Sequence, residues 1–290
     1  MNSALLFAFL SPLIWASVNV FDKYLVSHKV KYPLGYAMLA GFFYLLFGGI
    51  LALFLDWDAI TIEALLWPLL AGGLLGLQLY FYYIVSKKAD VSYVLGIYYF
   101  YPIIVTFLSF LFLNEVISFI GYIGAGFTIL GVLMMSLRAK KMKFKLGLWM
   151  IGVMIITGAL SEFFVKVSTM NLPILNGLAL NNLAMGAVFI PALFLKSLRK
   201  QCFSEFKNIK YIFISESITF FAVFTLYLAM VDLPATIVTS LSATQPVFVV
   251  LLERIAHWKF GKIIHDDALR FKLGAVVLVV IGVILLTTAA

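Results

Sequence analysis

FYYIVSKKADVSYVLGIYYFYP, residues 81–102, and TLYLAMVDLPATIVTSLSATQP, residues 225–246, align at one offset of 144 residues, which is 225 minus 81. Tyr83 then falls on Tyr227 and Pro102 on Pro246, while Asp90 comes within two columns of Asp232. A second pair points the same way: NVFDKYLVS, from Asn19, matches EFFVKVST, from Glu162, through Phe21 with Phe164 and Lys23 with Lys166. GFTILGV and VVLVVIGV recur in the last apolar run of each half. The chain reads as a duplication, with one repeat over 1–138 and the other over 139–290.

These stretches sit in unusually apolar surroundings. Of 290 residues, 64% are hydrophobic and 12% charged, and the mean hydropathy is +1.09. A soluble domain carries about 25% charged residues, so the solvent for most of this chain is hydrocarbon. A helix of about 20 apolar residues crosses a bilayer. Spans are expected at 4–25, 33–55, 65–85, 91–113 and 117–136, then at 147–168, 174–195, 210–230, 234–257 and 270–288. The first run lacks a basic lead-in and an A-x-A cleavage pattern, so it is read as a retained span. The expected fold is all-α and integral to the membrane, with ten transmembrane helices.

Five helices per repeat is an odd number, so the second copy enters the membrane from the opposite side. Inverted repeats of this kind place a site near the midplane and expose it alternately to the two faces. Charge sets the orientation. Of the 21 Lys and Arg, all but Lys166 fall on one face when sides alternate, whereas Asp56, Asp58, Glu63, Glu115 and Asp232 fall on the other. The basic face is expected in the cytoplasm, with both termini outside, in a multi-pass cell-membrane protein. The net charge of +8 comes from short tracts between spans. It therefore points to anionic lipids at the cytoplasmic face rather than to nucleic acid.

Chemistry is thinly signalled. The single cysteine, Cys202, excludes an internal disulfide framework, and His28, His257 and His265 lack metal-site spacing. There is no P-loop, no G-x-S-x-G turn and no H-E-x-x-H pair. No enzyme activity, cofactor or metal is expected, and the chain is expected to act as a monomer or weak homodimer.

SKKADVSYVLGIYYFYPIIVTFLSFLFLNEVISFIGYIGAGFTILGV, residues 86–132, resembles the drug/metabolite transporter superfamily, EamA type. The resemblance rests on the proline of the fourth span, Pro102, on Leu113-Asn114-Glu115 where the family has L-G-E, and on Gly124 and Gly131 in the fifth. The second repeat departs from the pattern: after Pro246 it reads Phe260-Gly261-Lys262, without the acid. The resemblance implies secondary transport of a small metabolite without ATP hydrolysis.

Candidate site residues follow from the polar groups placed inside spans. A charge near the bilayer centre costs roughly 2.5–3.5 kcal/mol on insertion scales. Glu162 is therefore expected to face a cavity or a partner, and either Lys166 at i+4 neutralises it or it serves substrate or proton. Glu216 stands alone in its helix and suits a proton or cation role, or a buried protonated acid. Pro102 and Pro246 free the carbonyls of Tyr98 and Ser242, and around these stand Tyr99, Tyr101, Thr244 and Gln245. Trp15 and Asn19 on the first helix, Gln78 and Tyr82 on the third, Ser161 beside Glu162, and Asn181 on the seventh complete the expected substrate-binding set. The expected cargo is an amino acid, an amine or an aromatic solute, by alternating access, with proton coupling and export as one form. The alternatives are flipping of a lipid-linked headgroup, a membrane enzyme, or a partner subunit.

Overall fold

The computed structural model describes residues 2–58, 60–88, 91–136, 145–260 and 269–289. Among them every regular element is helical. The first half holds α1 (Asn2–His28), α2 (Pro33–Ala52), α3 (Ile62–Ser86), α4 (Val91–Tyr98), α5 (Tyr101–Leu113) and α6 (Phe119–Ser136). The second holds α7 (Lys145–Asn171), α8 (Ile174–Ala187), α9 (Ile190–Leu193), α10 (Lys196–Glu205), α11 (Ile209–Asp232), α12 (Ala235–Ser242), α13 (Gln245–Phe260) and α14 (Leu269–Ala289). Eight helical stretches are long and apolar enough to cross a membrane, and α6 and α14 carry shorter apolar segments, Phe119–Met134 and Gly274–Thr288. These are the ten apolar units read from the sequence, in the same order. Asp90, the tract 138–144, Gly261, Lys262 and His265 lie outside the described residues, as does the expected boundary between 138 and 139.

Three of the expected spans are not single helices. The fourth is α4 followed by α5, the ninth is α12 followed by α13, and the seventh is α8 followed by α9. Pro102, Pro246 and Pro191 each stand second in the later piece, where a residue with no N–H is tolerated and the preceding helix cannot continue through it. The two long breaks are related by the offset seen in the sequence. Adding 144 carries Val91–Tyr98 onto Ala235–Ser242 and carries the start of α5, Tyr101, onto that of α13, Gln245.

Helix contacts obey the same exchange. α3 packs on α7, and its counterpart α11 packs on α1; α2 packs on α8, and α6 on α14, each helix meeting its own counterpart. Small residues make the approaches close, as expected where lipid gives no hydrophobic drive between helices. A Cβ on Gly72 would lie 2.0 Å from the Asn181 carbonyl oxygen on α8, and one on Gly282 would lie 2.3 Å from Thr128 Oγ1 on α6.

The basic tract KSLRKQCFSEFKNIK, residues 196–210, forms α10 and a 3-10 turn, Phe206–Asn208. Its Glu205 carboxylate is fully buried and accepts from the backbone N–H groups of Lys31 (3.0 Å) and Tyr32 (2.9 Å) and from Asn208 Nδ2 (2.7 Å). Glu205 thus does for the start of α2 what the Tyr32 side chain at that cap cannot. At this end the Lys87 ammonium also donates to the Val30 and Lys31 carbonyls, tying the first and third connections together.

Candidate functional site

A cavity of about 50 Å³ lies between α1, α3, α4, α5, α7, α11, α12 and α13. Seven counterpart pairs contribute to its walls. From α1 and α7, at an offset of 143, come Ser11 with Met154, Trp15 with Gly158, and Asn19 with Glu162. From the other helices, at 144, come Leu79 with Val223, Tyr82 with Leu226, Tyr98 with Ser242, and Tyr101 with Gln245. The cavity therefore straddles the axis that relates the two halves.

Three of the pairs, Ser11 with Met154, Trp15 with Gly158 and Tyr98 with Ser242, are opposite in bulk. Gly158 leaves room for Tyr98: a Cβ there would stand 2.5 Å from the Tyr98 hydroxyl oxygen. At the related positions the sizes are exchanged, with Trp15 large and Ser242 small. Tyr98 and Tyr101 have ring centroids 4.8 Å apart, and Tyr99 stands edge-on to Tyr98 at 5.4 Å and tilted against Tyr101 at 5.6 Å. The Tyr99 hydroxyl donates to Gln245 Oε1, so the breaks of the two halves are joined side chain to side chain.

Of the residues expected at the site, Trp15, Asn19, Gln78, Tyr82, Tyr98, Tyr101, Ser161, Glu162 and Gln245 surround this cavity. Asn181 does not; it is fully buried and its carbonyl faces Gly72, because α8 turns that side onto α3. Thr244 does not either. It occupies the turn between α12 and α13, where its carbonyl accepts from Val247 at 2.9 Å and Phe248 at 3.3 Å. Glu216 lies apart as well, in a setting of its own.

Lys166 answers the question that Glu162 posed. It is only 7% exposed, so it does not snorkel to the interface. Its ammonium lies 3.4 Å from Glu115 and donates to the Met230 and Leu233 carbonyls, both at 2.9 Å. Glu115 reaches it because Asn114 ends α5 in the left-handed region at φ 52°, and its other oxygen accepts from the Ala235 N–H at 2.8 Å, at the start of α12. In the first half the counterpart Lys23 donates to the Ser86 carbonyl at 2.7 Å, and Ser86 is the counterpart of Met230. Both lysines thus close the end of their half's third helix, as cations at helix C-termini do. Glu162 is left facing the cavity. Its Oε2 is buried with no hydrogen-bond partner.

A second acid centre lies between α1, α2, α3 and α11. Glu216 is fully buried and accepts from the hydroxyls of Tyr44 and, at 3.1 Å, Tyr83. Beside it Asp22, 1% exposed, accepts from Tyr36 and Ser215, both at 2.6 Å. Asp22 was missed in the sequence. It sits in NVFDKYLVS next to the repeat-matched Lys23, and its donors come from positions far along the chain. Its only signal was an acid well inside an apolar run.

The amino-terminal half, residues 2–137, matches the EamA-like transporter family. A solved crystal structure, described only as that of a protein, has the same fold over 99% of this chain and 98% of its own, with a TM-score of 0.69 and 18% identity. No curated protein matches the chain significantly. Over residues 2–137 the chain is thus similar to the EamA-like transporters of the drug/metabolite transporter superfamily, and its apolar helices make it a multi-pass membrane protein.

Proposed function

We propose that this protein is a secondary carrier that moves a small polar metabolite by alternating access, with the paired cavity as its substrate site. One observation carries the reading: seven counterpart pairs from the two halves contribute to the cavity walls. A site on that axis opens to either face when one half rocks against the other. Glu162 supplies the charge of the site, with Asn19, Gln78, Tyr82, Tyr98, Tyr101, Ser161, Trp15 and Gln245 around it. The basic ends of the helices lie in the cytoplasm, both termini outside.

Glu216, with Asp22, is the coupling group in this reading. Their neighbours are Tyr36 and Tyr44 from α2, Tyr83 from α3, Ser215 and Thr219 from α11, and Lys23 next to Asp22 in α1. A carboxyl group whose surroundings alternate between hydrocarbon and water changes charge as water reaches it, because a bare charge is costly only in the dry state.

The test is counterflow into proteoliposomes loaded with labelled amino acids and amines. Saturable uptake above protein-free vesicles, abolished by Ser242→Trp, which fills the cavity, supports the reading. No solute uptake, together with scrambling of a fluorescent phospholipid, overturns it in favour of a flippase.

A further inference from the structure

The polar groups of the cavity can be accounted for one by one, and what remains describes a ligand. The Ser11 hydroxyl donates to the Ala222 carbonyl at 3.0 Å and the Ser161 hydroxyl to the Ala71 carbonyl at 2.8 Å. Gln245 Oε1 is taken by Tyr99. Three buried atoms of the lining are left without a partner: Glu162 Oε2 on α7, Asn19 Nδ2 on α1 and the Tyr82 hydroxyl on α3. They are a carboxyl oxygen and an amide donor at counterpart positions of the two halves, with a phenol hydroxyl beside them. A buried polar atom without a partner in a native protein calls for a ligand or water.

The charge is one-sided too. The wall holds one carboxylate and no Lys, Arg or His. The nearest base in the sequence, Lys166, is turned away to Glu115 and two carbonyls. An anionic solute would meet repulsion from Glu162, and a zwitterion would bring a carboxylate that nothing charged here can pair. A cation satisfies Glu162 and lies beside aromatic rings, whose faces attract positive charge.

We infer that the cavity recognises a singly charged organic cation, an ammonium group set against Glu162 and bounded by Tyr98, Tyr101 and Trp15. The inference rests on this cavity being the transport site, and it narrows the cargo from polar metabolites in general to amines that carry no carboxylate.

Four probes of one skeleton separate the charge types: phenethylamine, phenylalanine, 3-phenylpropionate and 2-phenylethanol. Binding of each, labelled, is measured to the purified protein, to Glu162→Gln and to Ser242→Trp, with elution on size exclusion as the check of folding. Phenethylamine binds at least about tenfold more tightly than the other three, and both variants lose that binding. Equal or tighter binding of phenylalanine, 3-phenylpropionate or 2-phenylethanol, still blocked by Ser242→Trp, overturns the cation class and leaves the cavity standing. Phenethylamine binding untouched by Ser242→Trp overturns both. No phenethylamine binding at concentrations up to about 10 mM overturns the cation class.

Discussion

Glu162 and Glu216 are both carboxyls inside apolar helices, and the fold treats them in opposite ways. Glu216 is enclosed: two tyrosine hydroxyls donate to it, and Asp22, also held by two hydroxyls, lies beside it. Glu162 faces a cavity with one oxygen unpartnered, although a lysine stands one turn away in its own helix. That lysine is spent on Glu115 and on the carbonyls at the end of α11. The difference separates a carboxyl that the protein completes by itself from one that something else must complete.

The largest effect should come from Glu162. Changing it to Gln removes a charge with little packing around Oε2, so uptake should fall by about a hundredfold or more while thermal stability stays within about 1 kcal/mol of the parent. Proteoliposome uptake beside a melting curve checks both halves of the statement. Glu216→Leu should do the reverse in kind. It strands the Tyr44 and Tyr83 hydroxyls and costs about 2–5 kcal/mol, whereas Glu216→Gln keeps the fold and flattens the dependence of uptake on a pH gradient. Urea-independent thermal unfolding and uptake with and without that gradient separate the two variants.

A smaller effect is expected at the ion pair. Lys166→Met leaves the Met230 and Leu233 carbonyls and one Glu115 oxygen without their donor, at a cost of about 1–3 kcal/mol. The double variant with Glu115→Gln should recover part of that loss, which a double-mutant cycle reads directly. The smallest change should follow Gly158→Ala, whose Cβ pushes on the Tyr98 hydroxyl. Tyr98 shifts by a few tenths of an ångström, affinity for solute drops several-fold and stability falls by about 1 kcal/mol.

Much of this arrangement could be read from the chain. The offset of 144, read off Tyr83 with Tyr227 and Pro102 with Pro246, carries one helix break onto the other to the residue, although both spans were expected unbroken. Polar residues near those prolines and near Glu162 fall around the cavity because a helix phase, once fixed by one residue, carries its neighbours at i±3 and i±4 with it. What escaped the sequence was decided by partners far away along the chain. Nothing local says that Lys166 prefers Glu115 to Glu162, or that Asp22 meets Tyr36 and Ser215. Asn181 has the right chemistry and the wrong neighbour, since polarity within a span does not tell which helix it will face. Glu205 was hidden in a basic connection whose helix forms on the body of the protein by capping α2.

The most direct test of the account is access to Asn19 from the two sides of the membrane. With Cys202→Ser as background, Asn19→Cys is exposed to a membrane-impermeant thiol reagent applied first outside, then inside, during turnover. The account predicts labelling from both faces, with solute protecting against each. Labelling from one face only, or from neither while transport continues, contradicts it.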